Sequence, residues 1–366
     1  MIPKIILTGT PKQMGTSFGE SFRKEIHEFA QSRLTRLKQY AKEYCQTSID
    51  EKELISRVTE LLPWHQHYDA DVWSEFCGIA EGANISHEML MIGMGYTDLR
   101  DYITQEINTE LSDVGGCSAF IVPNAISKQG MLCGQTWDMT VEAFNYLVLV
   151  HRKPDKGPET LYLTTMGCLG LIGLNSNGIA IGNTNLMAID NRPGVHYLFT
   201  ISRALNTASM NEATGAIVNT PRMAGHNFYV ANAASGTNIE ATARLAYCSL
   251  IEDKPHVQTN HYLNNSLQSL EKDLPKNIRI NTNYRFGRMT NHFIQSDRLW
   301  DADTCWRTLS DDTRHELGAA ICNEDFVGQY GDFATVATVV LIPKERMMWV
   351  CGKGAKSGSV QKITLG

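Results

Sequence analysis

No stretch of the 366-residue chain approaches eighteen consecutive apolar residues, and its start, MIPKIILTGTPKQMG, offers only residues 5–7 before Thr8 and Pro11. Neither a membrane span nor a secretory leader is expected, and the protein reads as cytoplasmic. Positive charge is scarce too. The formal net charge is −6, with no window of Lys and Arg interleaved with aromatic residues, which argues against a nucleic-acid groove. The nine cysteines are odd in number and form no C-x-x-C pair or Cys/His knuckle, so neither a disulfide framework nor a structural zinc site is implied. WHQHYDAD places His65, His67, Asp69 and Asp71 close together; this reads as a solvated helix entry, and no metal is expected. CGKGAKSGS carries Ala355 where a Walker A loop needs glycine before Lys-Ser.

What is present is an ordinary globular composition, 43% hydrophobic and 20% charged, enough to bury the core of one large domain or two smaller ones. Residues 1–116 are helical in texture. After a short strand near 3–8, FGESFRKEIHEFAQSRLTRLKQYAKEY, ISRVTELLPW and VWSEFCGIAEGAN carry apolar residues at helical spacing. NISHEML then offers Asn84 or Ser86 as the N-cap of another helix. From residue 117 the period changes: CSAFIV, GMLCGQTW, YLVLVHRK, ETLYLTTMG, GIAIGN, HNFYVANA and YCSLIE are short, rich in β-formers and bounded by turn residues. Helical stretches are expected near 196–207, 210–219 and 292–322, before closing strands. The pattern predicts an α+β layered domain, with 263–287 as a weakly structured surface excursion.

The change of period falls at GGCSAF. Cut between Gly116 and Cys117, the chain would begin with a cysteine carrying both a thiol and a free α-amine. An amine with a pKa of about 7.7 to 8.0 can deprotonate the thiol near neutral pH, so one residue supplies nucleophile and base. Gly116 has no Cβ, which lets the thiol approach its carbonyl and form a thioester by an N-to-S shift. The plainer reading, a glycine turn entering a strand that starts with a small buried cysteine, stands beside this one.

The motifs GGCSAFIVPN…GMLCGQTWDM, GLNSNGIAIGNTNL, HNFYVANAASGTNIEAT, QTNHYL and QSDRLW, in that order, resemble the penicillin acyltransferase-like branch of the N-terminal nucleophile hydrolases. Bile-salt and penicillin V amidases are more distant relatives of that branch, and GIAEGANIS at 78–86 fits it as well. The resemblance implies a four-layer αββα fold and self-cleavage into a mainly helical pro-segment, 1–116, and a catalytic domain, 117–366. The two would stay together as an α/β heterodimer, with any higher oligomer left open. It implies Cys117 as nucleophile and base, Asp138 holding its amine, and Asn260 donating to the oxyanion. Asn185 would serve at the oxyanion or substrate, and Arg298 would support the charge state of the nucleophile.

A tetrahedral intermediate places charge on the former carbonyl oxygen, where a preorganised amide donor contributes roughly 3 to 4 kcal/mol. His226 and His261 sit where strand residues alternate, and an N-terminal nucleophile requires neither. Gln135 stands where the bile-salt branch carries arginine, and Ser118 where threonine is frequent, so the resemblance assigns neither a bile acid nor a penicillin as substrate and leaves the nucleophile untouched. The expected activity is hydrolysis of a linear amide of a small N-acyl amino compound through an acyl-Cys117 thioester, with no cofactor. The alternatives are an N-acyltransferase that takes its acyl group from a coenzyme A thioester or an amide, and an uncleaved binding protein that uses the pocket as a receptor.

Overall fold

The computed structural model describes residues 1–44, 48–103, 116–294, 298–314, 319–324 and 333–366. An edge strand, β1 (Lys4–Gly9), leads into six helices: α1 (Pro11–Ser21), α2 (Arg23–Tyr44), α3 (Glu51–Tyr68), α4 (Ala70–Ala83), α5 (His87–Met94) and α6 (Tyr96–Ile103). Their starts carry the expected chemistry. Thr10 and Gln13 form a capping box, while Asp50, Asp69 and Ser86 each accept a first-turn N–H. Asn84 instead ends α4 in the left-handed conformation. Helices α1 and α4 cross with their backbones in contact: a Cβ on Gly15 or Gly19 would strike the α4 backbone, and one on Gly78 or Gly82 the α1 backbone. The letters Gly15-Thr16-Ser17-Phe18-Gly19 match a serine-nucleophile elbow, but they lie inside α1, where no strand-to-helix turn exposes the hydroxyl.

Beyond residue 116 the alternating runs fold as strands. The larger sheet holds β4 (Leu147–Pro154), β5 (Thr160–Thr165), β6 (Ile172–Asn175), β7 (Ala180–Asn185), β8 (His226–Ala231), β9 (Gly236–Ala241) and β10 (Ala246–Ile251), in that order, with β1 added beside β4. The smaller sheet contains β2 (Cys117–Val122), β3 (Leu132–Thr140), β11 (His256–Gln258), β12 (Phe333–Ile342), β13 (Met347–Gly352) and β14 (Gln361–Thr364), in the order β11-β2-β3-β12-β13-β14. Strand β1 pairs in parallel with β4, Lys4 opposite Leu149. The N-terminal segment is thus built into the larger sheet.

Helices α7 (Tyr197–Leu205) and α8 (Met210–Val218) cover the outer face of the larger sheet. Helices α10 (Lys276–Phe293) and α11 (Ala302–Leu309) pack on the smaller one, after a single turn α9 (Asn265–Gln268). Strands β2 and β3 face β7 and β8 across the interior. The order is helix, sheet, sheet, helix, the αββα arrangement within the expected α+β class. The inner strands are buried on both faces, β2 and β12 along their whole length.

Two expectations are corrected here. Residues 263–287 are not a loose excursion: α10 buries Ile278, Thr282, Arg285, Met289 and Phe293 along one face. The helix expected over 292–322 is confined, among the described residues, to the end of α10 and to α11. Among the described residues no helix is long and apolar enough to cross a membrane.

Candidate active site

Cys117 opens β2 and is 7% exposed, facing the larger sheet. The antiparallel ladder that pairs Cys117 with Trp137 runs one step further, where the Asp138 N–H donates to the Gly116 carbonyl at 3.1 Å. The N–H of this peptide and the carbonyl of the next are held as well. The Cys117 N–H donates to Asn260 Oδ1 at 2.8 Å, and the Cys117 carbonyl accepts from Arg285 Nη1 at 2.6 Å. Arg285 also donates to Ser118 Oγ at 3.2 Å, to Asn260 Oδ1 at 2.9 Å and, through Nε, to Asn281 Oδ1 at 2.8 Å.

This clamp explains the glycine. A Cβ on Gly116 would overlap the Arg285 guanidinium, so glycine leaves the arginine its room beside residue 116.

Two titratable groups meet at the clamp. Burial raises Asp138 to about 7, opposed by the charge of Arg285 and by the hydrogen bond from Thr335 Oγ1 at 2.7 Å. Burial, with the Asp138 charge, pushes the Cys117 thiol up to about 12, against the Asp138 N–H and Arg285. In the uncleaved chain the thiol is therefore neutral at pH 7 and lies beside a carboxyl that titrates there.

Asn260 follows β11, and its backbone N–H donates to Thr282 Oγ1 on α10. Its Nδ2 donates to the Asn185 carbonyl at 2.9 Å. Asn185, at the end of β7, donates through its own Nδ2 to Asp101 Oδ2 at 3.2 Å. Cys117, Asp138, Asn260 and Asn185 are thus brought together.

Arg298 is not. It is exposed and stacks over Trp300, 5.1 Å from the ring centroid, and Trp300 is bonded to Ile126 and Lys128. That places Arg298 beyond the far end of β2, about 20 Å of strand from Cys117 and outside the reach of a side chain. Arg285 occupies the place expected of it.

A cavity of about 40 Å³ adjoins Cys117, with Asp138, Asn183, Asn185, Tyr197 and His226 among its walls. Helix α6 reaches it through Arg100, buried and paired with Asp101. Asp98, also on α6, accepts from His226 at 2.6 Å and from the Tyr197 N–H at 3.1 Å. Burial opposes its charge, but His196 and His226 outweigh this and hold its pKa below the usual carboxylate value.

His226, set aside on the sequence, is thus a wall of the cavity; its place in strand alternation hid a partner 128 residues away. His261 bonds Thr259 and Thr282 instead. Among the described residues no three His, Cys, Asp or Glu side chains are placed to hold a metal ion. His65 bonds the Leu61 carbonyl and accepts from the His196 N–H, and Asp69 caps α4.

A cysteine at the head of an inner strand of an αββα sandwich, its N–H held by asparagine and its carbonyl by arginine beside a buried aspartate, has the form of an N-terminal nucleophile hydrolase. Residues 126–356 match the model of the acyl-coenzyme A:6-aminopenicillanic acid acyl-transferase family, and the chain belongs to that family. It is 27% identical over 273 residues to the 40 kDa form of acyl-coenzyme A:6-aminopenicillanic-acid-acyltransferase of Emericella nidulans, covering 70% of this chain and 68% of that one.

Among solved structures it is similar to the N-acylethanolamine-hydrolyzing acid amidase ortholog of Caenorhabditis elegans, with 16% identity, TM-score 0.44, and 62% of this chain matched to 93% of that one. It is also similar to the penicillin V acylase of Agrobacterium tumefaciens, with 11% identity, TM-score 0.42, and 68% matched to 86%.

Proposed function

We propose that the chain is a self-processing cysteine amidohydrolase whose mature N-terminus is Cys117. The observation that carries this reading is the clamp, in which the Gly116 carbonyl, the Cys117 N–H and the Cys117 carbonyl each have a dedicated partner. In self-cleavage the Cys117 sulfur attacks the Gly116 carbonyl carbon and the thiol proton passes to the Asp138 carboxylate. The oxygen gains charge against the Asp138 N–H. The carbon–nitrogen bond then breaks, the nitrogen takes up a proton, and water resolves the thioester into a Gly116 carboxylate and a free Cys117 with amine and thiol. Gln135, where related amidases carry arginine, bonds both backbone groups of Asn183 and ties the sheets together.

After cleavage the amine is the base that the buried thiol needs. Asn260 Oδ1 already accepts from this nitrogen, and the second N–H of Asn260 Nδ2 is the donor assigned to the oxyanion. A small linear N-acyl amine acylates Cys117 and leaves as its amine; water completes the cycle. The segment 1–116 stays bound as the partner of 117–366, since β1 belongs to the larger sheet and α6 to the cavity wall.

Acyl transfer is the second reading, favoured by the family match and by the burial of Cys117, which limits water. A coenzyme A thioester would then serve as acyl-donor substrate, with no resident cofactor. Incubation with N-acyl amides, followed by mass spectrometry of Cys117, tests both. An acyl-Cys117 adduct with free amine released in water establishes the hydrolase; an adduct discharged only to an added amine establishes the transferase. If no adduct forms and thiol probes label all cysteines slowly and alike, the site is a receptor.

A further inference from the structure

Two side chains on β7 end in buried oxygens without a protein partner, and both belong to the wall of the cavity beside Cys117. They are Asn183 Oδ1 and Asn185 Oδ1; Asn183 is 7% exposed. Buried carboxamide oxygens are seldom left without a donor.

Their orientation is set from outside the cavity. Asp101 is paired with the Arg100 guanidinium through Oδ1, at 2.8 and 2.6 Å, and its Oδ2 faces Asn185. A carboxylate only accepts, so Asn185 must turn its nitrogen to Asp101 and its oxygen away. On the other side Asp98 faces His226 Nε2, which therefore carries the ring hydrogen. In the neutral imidazole the opposite ring nitrogen, Nδ1, is then an acceptor. Asn183 Nδ2 lies 3.4 Å from it, so Asn183 too presents its oxygen elsewhere. Both relays start on α6, and each ends in an acceptor two residues from the other on one face of β7.

We infer that Asn183 and Asn185 form a paired acceptor for the nitrogen side of the substrate, selecting secondary amides and primary amines and discriminating against tertiary amides and leaving groups without N–H. This rests on the amide-processing reading of the site. The sequence-based expectation made Asn185 an oxyanion or substrate residue; with its N–H committed to Asp101, it serves the substrate as an acceptor. Asp98, Arg100, Asp101 and His226 are positioning residues that act through the two asparagines.

The test uses the self-cleaved wild-type protein and three derivatives of each of a series of acyl chains from acetyl to palmitoyl: the 4-nitrophenyl ester, the benzylamide and the N-methylbenzylamide. The expected result is a kcat/KM for the benzylamide at least tenfold above that for its N-methyl counterpart. In Asn183→Leu and in Asn185→Leu the amide-to-ester ratio falls about tenfold, mainly through KM, as expected for one lost hydrogen bond to a polar ligand. In Asp98→Asn the preference for the secondary amide shrinks as well, which loss of stability alone would not cause.

Ester and both amides turned over with equal preference, in wild type and variants alike, would overturn the inference and leave the enzyme reading intact. Failure of every ester and amide to acylate Cys117 would overturn the enzyme reading and the inference together.

Discussion

Replacing Arg285 by methionine keeps only the unbranched apolar stem of a side chain that is almost wholly buried and removes four hydrogen bonds. These run to the Cys117 carbonyl, Ser118 Oγ, Asn260 Oδ1 and Asn281 Oδ1, at 2.6 to 3.2 Å. Hydrogen bonds from a charged donor contribute about 1.5 to 3 kcal/mol each, but only those whose geometry matters in the transition state appear in the rate. Loosening the peptide and Asn260 together should slow self-cleavage about 10- to 100-fold at high pH.

A second effect is superimposed at neutral pH. The Arg285 charge opposes the burial that raises Asp138 to about 7, so its removal lifts that pKa further, by roughly 1 unit. Asp138 must be ionised to take the thiol proton. A higher pKa therefore lowers the active fraction at pH 7 and moves the acid limb of the pH–rate profile to higher pH. The assay is the rate of appearance of the 117–366 fragment from pH 5 to 9, with Arg298→Met as the control of equal charge change, exposed over Trp300. Normal cleavage in Arg285→Met, or loss of cleavage in Arg298→Met, would refute the reasoning.

Gly116→Ala places a methyl group against the Arg285 guanidinium and should slow self-cleavage at least tenfold while leaving the chain folded, read by fragment appearance alongside circular dichroism. Gly82→Ala forces a Cβ into the α1 backbone; overpacking of this kind costs about 1 to 3 kcal/mol, to be seen as a lower midpoint in urea. Burial lowers His65 to about 3 and His196 to about 4 from the ordinary histidine value of 6.5. Both are bases held neutral, so their contribution is complete above pH 6.5 and is lost as pH falls toward 4, with the unfolded chain binding the extra protons. Urea unfolding at pH 7 and at pH 4.5 should therefore show a markedly lower stability at the acid value; an unchanged midpoint would contradict it.

The layers were legible where local pattern decides structure. Hairpins such as β2–β3 and β8–β9 announce themselves by β-formers and turn residues, and α5 by its N-cap Ser86. The partnership of β1 with β4 was not legible, because that pairing spans 145 residues, Lys4 to Leu149, and nothing in either strand names the other. Helix α10 was missed because its buried stripe, Ile278, Thr282, Arg285, Met289 and Phe293, has perfect helical spacing but contains a threonine and an arginine. A hydropathy pattern discards both. The same stripe carries the arginine that lies against Cys117: Arg285 falls in the segment expected to be loosely structured, while Arg298 lies over Trp300. A buried arginine at a core position of a helix, noticed for its spacing, would have been the signal. Motif order is enough to expect Cys117, Asp138 and Asn260 close together, as they lie, whereas the pairing of Asp98 with His226 needs the fold to bring α6 to β8.

The measurement that bears most directly on the central claim is the intact mass of the purified chain beside that of Cys117→Ala. The account requires the wild type to separate into fragments that meet between Gly116 and Cys117, with cysteine as the new N-terminus, and the variant to remain whole. A wild-type chain that stays whole under conditions in which its thiol turns over an N-acyl amide would contradict it, as would cleavage that persists in Cys117→Ala.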